Sequence, residues 1–293
     1  MSGKKTKSHA FLLHGLSGTG KKRAAAQMIS QISREQLGEK ELFSGRVEDV
    51  ILLSPQTEEK KGKIIRRDLS VVQAREAINK LFLFPTRLKF RFLLVEQAER
   101  LNQAAANSLL KIVEEPPAQV RVIFLSDNLE QFLPTLKSRL EKRFFPLLRK
   151  EEMAARLKEN FLSVNQELFE KVFPLSQGRI AWAEKFLADE ILMLGQARGL
   201  DRFRSAIKGG LGESFLLAES LSKDKALARK SIDDWVFYFR GFLLEKISAG
   251  QLEKPARKKI LFLIRELLLV KERLERPSAN SRLIWENFFL SVV

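Results

Sequence analysis

The sequence predicts an α/β region followed by an all-α region, and three observations carry that prediction. Short apolar runs alternate with segments of helical spacing across residues 1–147. A glycine-rich loop joins the first of those runs to the first helix. From Leu148 onward only the helical period recurs. Apolar runs alternating with helices describe a parallel sheet covered on both faces.

Taken in order, His9–His14 is an apolar run that enters the glycine loop and reads as the first core strand. Lys21–Gln36 follows as a helix, with Ala24, Ala25, Met28, Ile29 and Ile32 on one side. Val50–Leu53 is a short β-branched strand, and Val71–Leu83 has helical spacing that stops before Pro85. Phe90–Val95 is a strand, apolar apart from Arg91, and the helix Gln103–Val113 ends at Pro116-Pro117. Val120–Leu125 is the next strand, and Arg143–Leu147 reads as one more. Beyond them, Lys150–Phe161, Gln166–Val172 and Ile180–Leu194 form a three-helix module over residues 148–197, with Gly178 as a turn. Residues 198–293 hold longer helices at Lys225–Ile247, Ala256–Leu274 and Ser281–Leu290, with Pro255 and Pro277 where helix starts or stops belong. The group Trp235, Phe237, Tyr238, Phe239 and Phe242 lies on a helical repeat, which favours a buried core over a base-stacking surface. No internal repeat or low-complexity stretch interrupts the pattern.

Composition narrows the functional classes. The 293 residues are 45% hydrophobic and 30% charged, as in a globular protein. With no Cys, disulfides, thiolate metal sites and a thiol nucleophile are excluded. His9 and His14 are the only histidines, so a zinc or His-based catalytic cluster is not expected. No apolar run approaches the ~20 residues of a membrane span. The basic start leads straight into the first core strand rather than a signal peptide, so the expected location is cytoplasmic. The formal charge is +16, and residues 1–150 carry 28 Lys and Arg against 16 Asp and Glu. That excess points to a polyanionic neighbour, with a merely solvating basic surface as the alternative. No base-reading motif accompanies it, so sequence-specific readout is not supported.

The loop Gly15-Leu16-Ser17-Gly18-Thr19-Gly20-Lys21-Lys22 has the spacing of a phosphate-binding loop. Such a loop aims backbone N–H groups and a helix N-terminus at phosphate. A hydrolytic loop follows its Lys with Ser or Thr, whose hydroxyl ligates Mg²⁺. Here Lys22 places an ammonium there, which can neutralise phosphate without metal but repels Mg²⁺. A tight turn with no ligand is the alternative. After Phe92–Val95, a P-loop ATPase carries an Asp for the metal and often a Glu to activate water. This chain has Glu96-Gln97. Glu96 keeps the charge on a longer arm, and Gln97 cannot act as a general base.

A third block is more specific. Ala105-Ala106-Asn107 runs into SLLKIVEEPP at Ser108–Pro117, and LPTLKSR follows at Leu133–Arg139. These segments resemble the AAA+ subunits of the bacterial clamp loader, and among them the delta-prime type of DNA polymerase III, whose usual forms are AANALLKTLEEPP and LPTIRSRC. SHAFLLHGLSGTGKKRAA at Ser8–Ala25 and NSRLIWEN at Asn280–Asn287 extend the resemblance to the first strand and the last helix. It implies a RecA-like AAA+ domain over 1–147, a small helical lid over 148–197 and a helical collar for oligomerisation over 198–293. Ser138-Arg139 corresponds to the SRC motif, with Arg139 as an arginine finger offered in trans to ATP on a neighbouring subunit. Leu140 stands where that motif has Cys.

The four-Cys zinc module common in these subunits has no counterpart near Glu35–Glu48, so no zinc is expected. Ser126 falls at the approximate sensor-1 position. Ala181 stands where an ATP-binding subunit has a sensor-2 Arg, with Arg179 nearby but out of register. The resemblance implies a catalytically silent stator without intrinsic ATPase activity, within the DNA polymerase III holoenzyme. No cofactor is required, although ATP or ADP held without hydrolysis stays open. Its partners would be the gamma/tau and delta subunits, the sliding clamp and primed DNA. Two rivals remain: a gamma/tau-like ATPase, and a free-standing basic DNA-binding P-loop protein.

Overall fold

The computed structural model describes residues 8–60, 63–161, 164–248, 250–276 and 279–293, without the side chains of 57–60, 63–66, 160 and 248. Pro277 and the basic start at residues 1–7 lie outside the described residues. Two compact units divide at Leu147/Leu148.

The first unit is a five-stranded parallel sheet. Its strands are β1 (Ala10–His14), β2 (Val50–Leu53), β5 (Arg91–Val95), β6 (Val120–Ser126) and β7 (Glu141–Phe144), in spatial order β2-β5-β6-β1-β7. An antiparallel hairpin, β3 (Thr57–Lys60) with β4 (Lys63–Arg66), stands apart from it. The helices are α1 (Lys21–Ser33), α2 (Glu39–Leu42), α3 (Val71–Leu81), α4 (Gln103–Glu114) and the single turn α5 (Pro134–Lys137). Alternation along the strands builds two cores. Leu12, Leu93, Val122 and Phe124 pack with α3 and α4, whereas Phe11, Leu13, Phe92, Leu94 and Ile123 pack with α1 and α2.

The helix ends follow local chemistry. Ser70 and Gln73 make a reciprocal capping box at α3, and Asn102 Oδ1 accepts from Ala105 N–H at 2.8 Å to start α4. Helix α1 stops at Ser33, three residues before the expected Gln36, because Arg34 takes a left-handed backbone with φ 60°. Strand β7 begins two residues earlier than the apolar run at 143–147 suggested. It is an edge strand of alternating exposure, paired with β1 alone, so its pattern is not wholly apolar.

Asp49 is buried behind β2 and accepts backbone N–H groups from Thr86, Arg87 and Leu88 at 2.9, 2.7 and 2.6 Å. Burial pushes its carboxyl up, but those N–H groups and Arg91 outweigh burial and hold it below the usual range.

The second unit is helical throughout its described residues. It contains α6 (Lys150–Asn160), α7 (Gln166–Ser176), α8 (Ile180–Ala188), α9 (Glu190–Lys208), α10 (Leu211–Lys223), α11 (Lys225–Ser248), α12 (Lys254–Leu274) and α13 (Ser281–Val292). The segment expected as one helix at 180–194 is two. Asp189 is extended, with φ −137°, and its side chain caps α9 by accepting from Leu192 N–H at 3.0 Å. The 197/198 boundary falls inside α9, which is continuous from 190 to 208. Core membership still changes along that helix. Met193 packs with Met153, Leu157 and Phe186, whereas Leu200 and Phe203 pack with Trp235, Trp285 and Phe289. Trp235 is buried with its ring centroid 4.1 Å from that of Phe203. Among the described residues no helix is long and apolar enough to cross a membrane.

Candidate functional site

Strand order decides where chemistry can collect. Successive strands β2, β5 and β6 step toward β1, and the chain then crosses β1 to place β7 on its far side. Ligands of open parallel sheets sit outside the carboxyl ends of the strands at such a crossover. The segments leaving β1, β5 and β6 carry the glycine loop, Glu96-Gln97 and Ser126-Asp127.

The glycine loop closes tightly. Gly15 has φ 143°, and a Cβ there would lie 2.3 Å from the Phe145 carbonyl oxygen, so the backbone after β7 leaves room for no side chain. Gly20, left-handed at φ 91°, turns the chain into α1. Thr19 is buried, and its Oγ1 donates to Leu16 O at 2.8 Å. Lys21 is also buried, with 6% exposure. Its Nζ donates to Gly15 O at 2.6 Å and Leu16 O at 2.7 Å, and it pairs with Asp127 Oδ1 at 2.7 Å. An ammonium has three N–H donors, and all three are engaged. Lys22 extends outward to pair with Glu96 at the end of β5, while its Nζ lies 4.5 Å from the centre of the Phe43 ring. Gly18, in the same loop, has φ 83°.

The neighbouring positions are committed in the same way. Ser126, fully buried, accepts from Asn128 N–H at 3.2 Å and donates to Asn128 O at 3.1 Å, so its hydroxyl caps the turn after β6. Gln97 is left-handed at φ 47° and opens the 3-10 turn Ala98–Arg100. Arg179 stacks 3.3 Å over the Phe237 ring and 5.4 Å from that of Trp182, within its own unit. Burial lowers its pKa to about 10. Ala181 sits in the first turn of α8. An Mg²⁺ ion does not fit the first site: the carboxylate that would face it holds the Lys22 ammonium instead.

Arg139 follows α5 in an open setting. Leu140 beside it is buried in the core with Leu136, which fixes the backbone. The guanidinium is paired with Glu114, donates to Thr135 O at 2.8 Å, and donates to Ser138 Oγ at 3.2 Å. Ser138 Oγ donates in turn to Thr135 O at 3.1 Å, so it buttresses the arginine. The Arg139 side chain is nevertheless 42% exposed. Sequence reasoning named Arg139 and Ser138 but gave no role to Glu114, Asp127 or Phe43. Glu114 stood inside the quoted motif, whereas Asp127 and Phe43 carried no local signal.

Comparison with known proteins joins these features to a family. Residues 1–148, just over half of the chain, match the family model described as DNA polymerase III, delta subunit. A DNA polymerase III subunit gamma/tau from Mycobacterium bovis is 32% identical over 156 residues, covering 51% of this chain and 26% of that relative. A subunit delta' from Pseudomonas aeruginosa is 31% identical over 160 residues, covering 50% of this chain and 46% of its own length. The chain thus spans half or less of these curated relatives. A solved gamma subunit-related protein of Thermotoga maritima shares the fold, with TM-score 0.52 and 18% identity over 98% of this chain and 95% of that one. The sheet, the glycine loop and the Asn107–Arg139 block all lie within the matched residues, and the chain belongs to the family described as DNA polymerase III, delta subunit.

Proposed function

We propose that this chain is a delta-prime-like subunit of the DNA polymerase III clamp loader, a stator without ATPase activity of its own. Its role is to donate Arg139 in trans to ATP on an adjacent gamma/tau subunit while the sliding clamp is loaded on primed DNA. One contrast carries the reading: the loop lysine has every donor engaged internally, whereas Arg139 is held at the surface. A fixed guanidinium aimed at the transferring phosphoryl group stabilises charge that develops in the transition state. The retained loop and Glu96-Gln97 support a structural role for the region that hydrolyses ATP in motor subunits. The basic first unit suits a DNA backbone, met by charge and weakened by salt. Such a subunit would act in the cytoplasm.

Identity is near-equal to a gamma/tau and a delta' relative, so the rival to test is a motor that hydrolyses ATP itself. Reconstitution with gamma/tau and delta subunits separates the two. For a stator, the chain alone shows no Mg²⁺-dependent ATP turnover, and the complex turns over ATP faster with it than without it. Replacing Arg139→Ala leaves assembly intact and removes that stimulation. Turnover by the chain alone that disappears in Lys21→Ala identifies a motor. Strong DNA affinity of the chain alone, untouched by disruption of α13, identifies the free-standing DNA-binding protein.

A further inference from the structure

We infer that Lys21 and Lys22 brace the carboxyl ends of β1, β5 and β6 with the chain's own side chains, and that Lys22 alone closes a latent divalent-cation position at Glu96. The inference deepens the stator reading and rests on it for the family context. Its observations are separate from Arg139.

In a metal-dependent loop, the residue after the lysine and the carboxylate ending a later strand face each other across the ion. Here the residues at those two positions touch directly, as the Lys22–Glu96 ion pair. The Glu96 side chain is only 17% exposed. A carboxylate that sheltered needs a counter-charge, and Lys22 supplies it. The Phe43 ring, 4.5 Å from the ammonium, provides a second attraction that a hydrated Mg²⁺ could not use in the same way.

Lys21 completes the brace on the other strand. Its ammonium ties the loop carbonyls of Gly15 and Leu16 to Asp127 beyond β6. The first two residues of α1 therefore reach the ends of β5 and β6, and the loop between them continues from β1. Three strand ends and one helix start are joined by side chains of the chain itself. These contacts tie the loop to the strand ends through the chain's own side chains.

The test uses the full chain and thermal unfolding with ADP, in Mg²⁺ or in EDTA. For the chain as it stands, Tm in Mg²⁺ with ADP equals Tm in EDTA with ADP. Lys22→Thr, which exchanges the ammonium for a hydroxyl ligand, gains a Mg²⁺-dependent rise of about 3–6 °C at saturating ADP. The gain disappears in Lys22→Thr combined with Glu96→Gln. Lys22→Met, which removes the charge without adding a ligand, gains nothing. A Mg²⁺-dependent rise in the unaltered chain overturns the inference whatever the variants do. So does a folded Lys22→Thr, checked by circular dichroism, that stays indifferent to Mg²⁺. Mn²⁺ binding followed by electron paramagnetic resonance on the same proteins is the second readout, with the same expected pattern. None of these outcomes depends on Arg139, so the stator reading can fail while this one stands.

Discussion

The glycine loop and the Arg139 corner use the same chemistry, a cation beside a carboxylate, in opposite settings. At the loop, Lys21 is 6% exposed and meets two carbonyls and Asp127. At the corner, Arg139 and Glu114 are 42% and 45% exposed. Water and salt compete for an exposed pair, whose net worth is small, so it can be exchanged for another anion. A buried ammonium with every donor engaged loses hydrogen bonds that water cannot replace. The difference teaches that a cation's setting, more than its identity, separates a brace from a group available to a partner.

The largest effect that could break the comparison is catalytic. In the reconstituted complex, Arg139→Ala should lower ATP turnover on the order of 10³-fold, while Lys21→Met leaves turnover within about twofold. Steady-state turnover under saturating ATP reads both, and the reverse pattern would exchange the two roles.

Next is the stability of the first unit, where Asp49 extends the buried side of the comparison. Asp49→Asn should cost about 2–3 kcal/mol at neutral pH, since three N–H donors and Arg91 lose their anion. The folded carboxyl lies below its unfolded value. Its contribution is therefore present above the ordinary Asp pKa and lost as pH falls through the folded one. Urea unfolding at neutral and acid pH, read by far-ultraviolet circular dichroism, should show a steeper acid loss in the parent than in the variant. All three Trp lie at 182, 235 and 285, so Trp fluorescence reports the second unit as an internal reference.

Lys21→Met ranks second on stability, at about 1–2 kcal/mol, because Asp127 is partly solvated and recovers some hydration. Arg139→Ala should move it by less than about 0.5 kcal/mol. Equal losses in the two variants would dissolve the distinction between brace and available group.

The last expected effect has the opposite sign. Burial raises the Asp234 carboxyl, against Gln196, Lys230 and Arg179. A raised folded pKa gives a contribution present at acid pH and lost as pH rises through that value. Asp234→Asn should thus leave the second unit as stable at neutral pH or stabilise it by up to about 1 kcal/mol. A loss comparable to that of Asp49→Asn would show that Asp234 is held as Asp49 is.

Much of the fold could be read along the chain. The apolar strands and the helices at 71–83 and 103–113 are long enough, or apolar enough, for their period to dominate. The hairpin β3–β4 was missed because TEEK and KIIR are short and largely polar. The break at Asp189 was missed because the helical period runs through it, and only a capped extended residue marks the join. Of the site, the motif residues were legible because their spacing is local. Asp127 and Phe43 were not, since each meets its lysine only after distant strands have been placed side by side.

By itself, the sequence determined the α/β-then-α order, the glycine loop with Lys22 in place of a hydroxyl, and the Ser138-Arg139 corner. Those depend on periodicity and on residues within a few positions of one another. Tertiary structure alone decided that Lys21 has no donor left, that Lys22 pairs with Glu96, and that Glu114 holds Arg139. The loop and Glu96 are joined only because the sheet order brings the ends of β1, β6 and β5 together. A charge's partners and its exposure are properties of that assembled edge, and no local pattern encodes them.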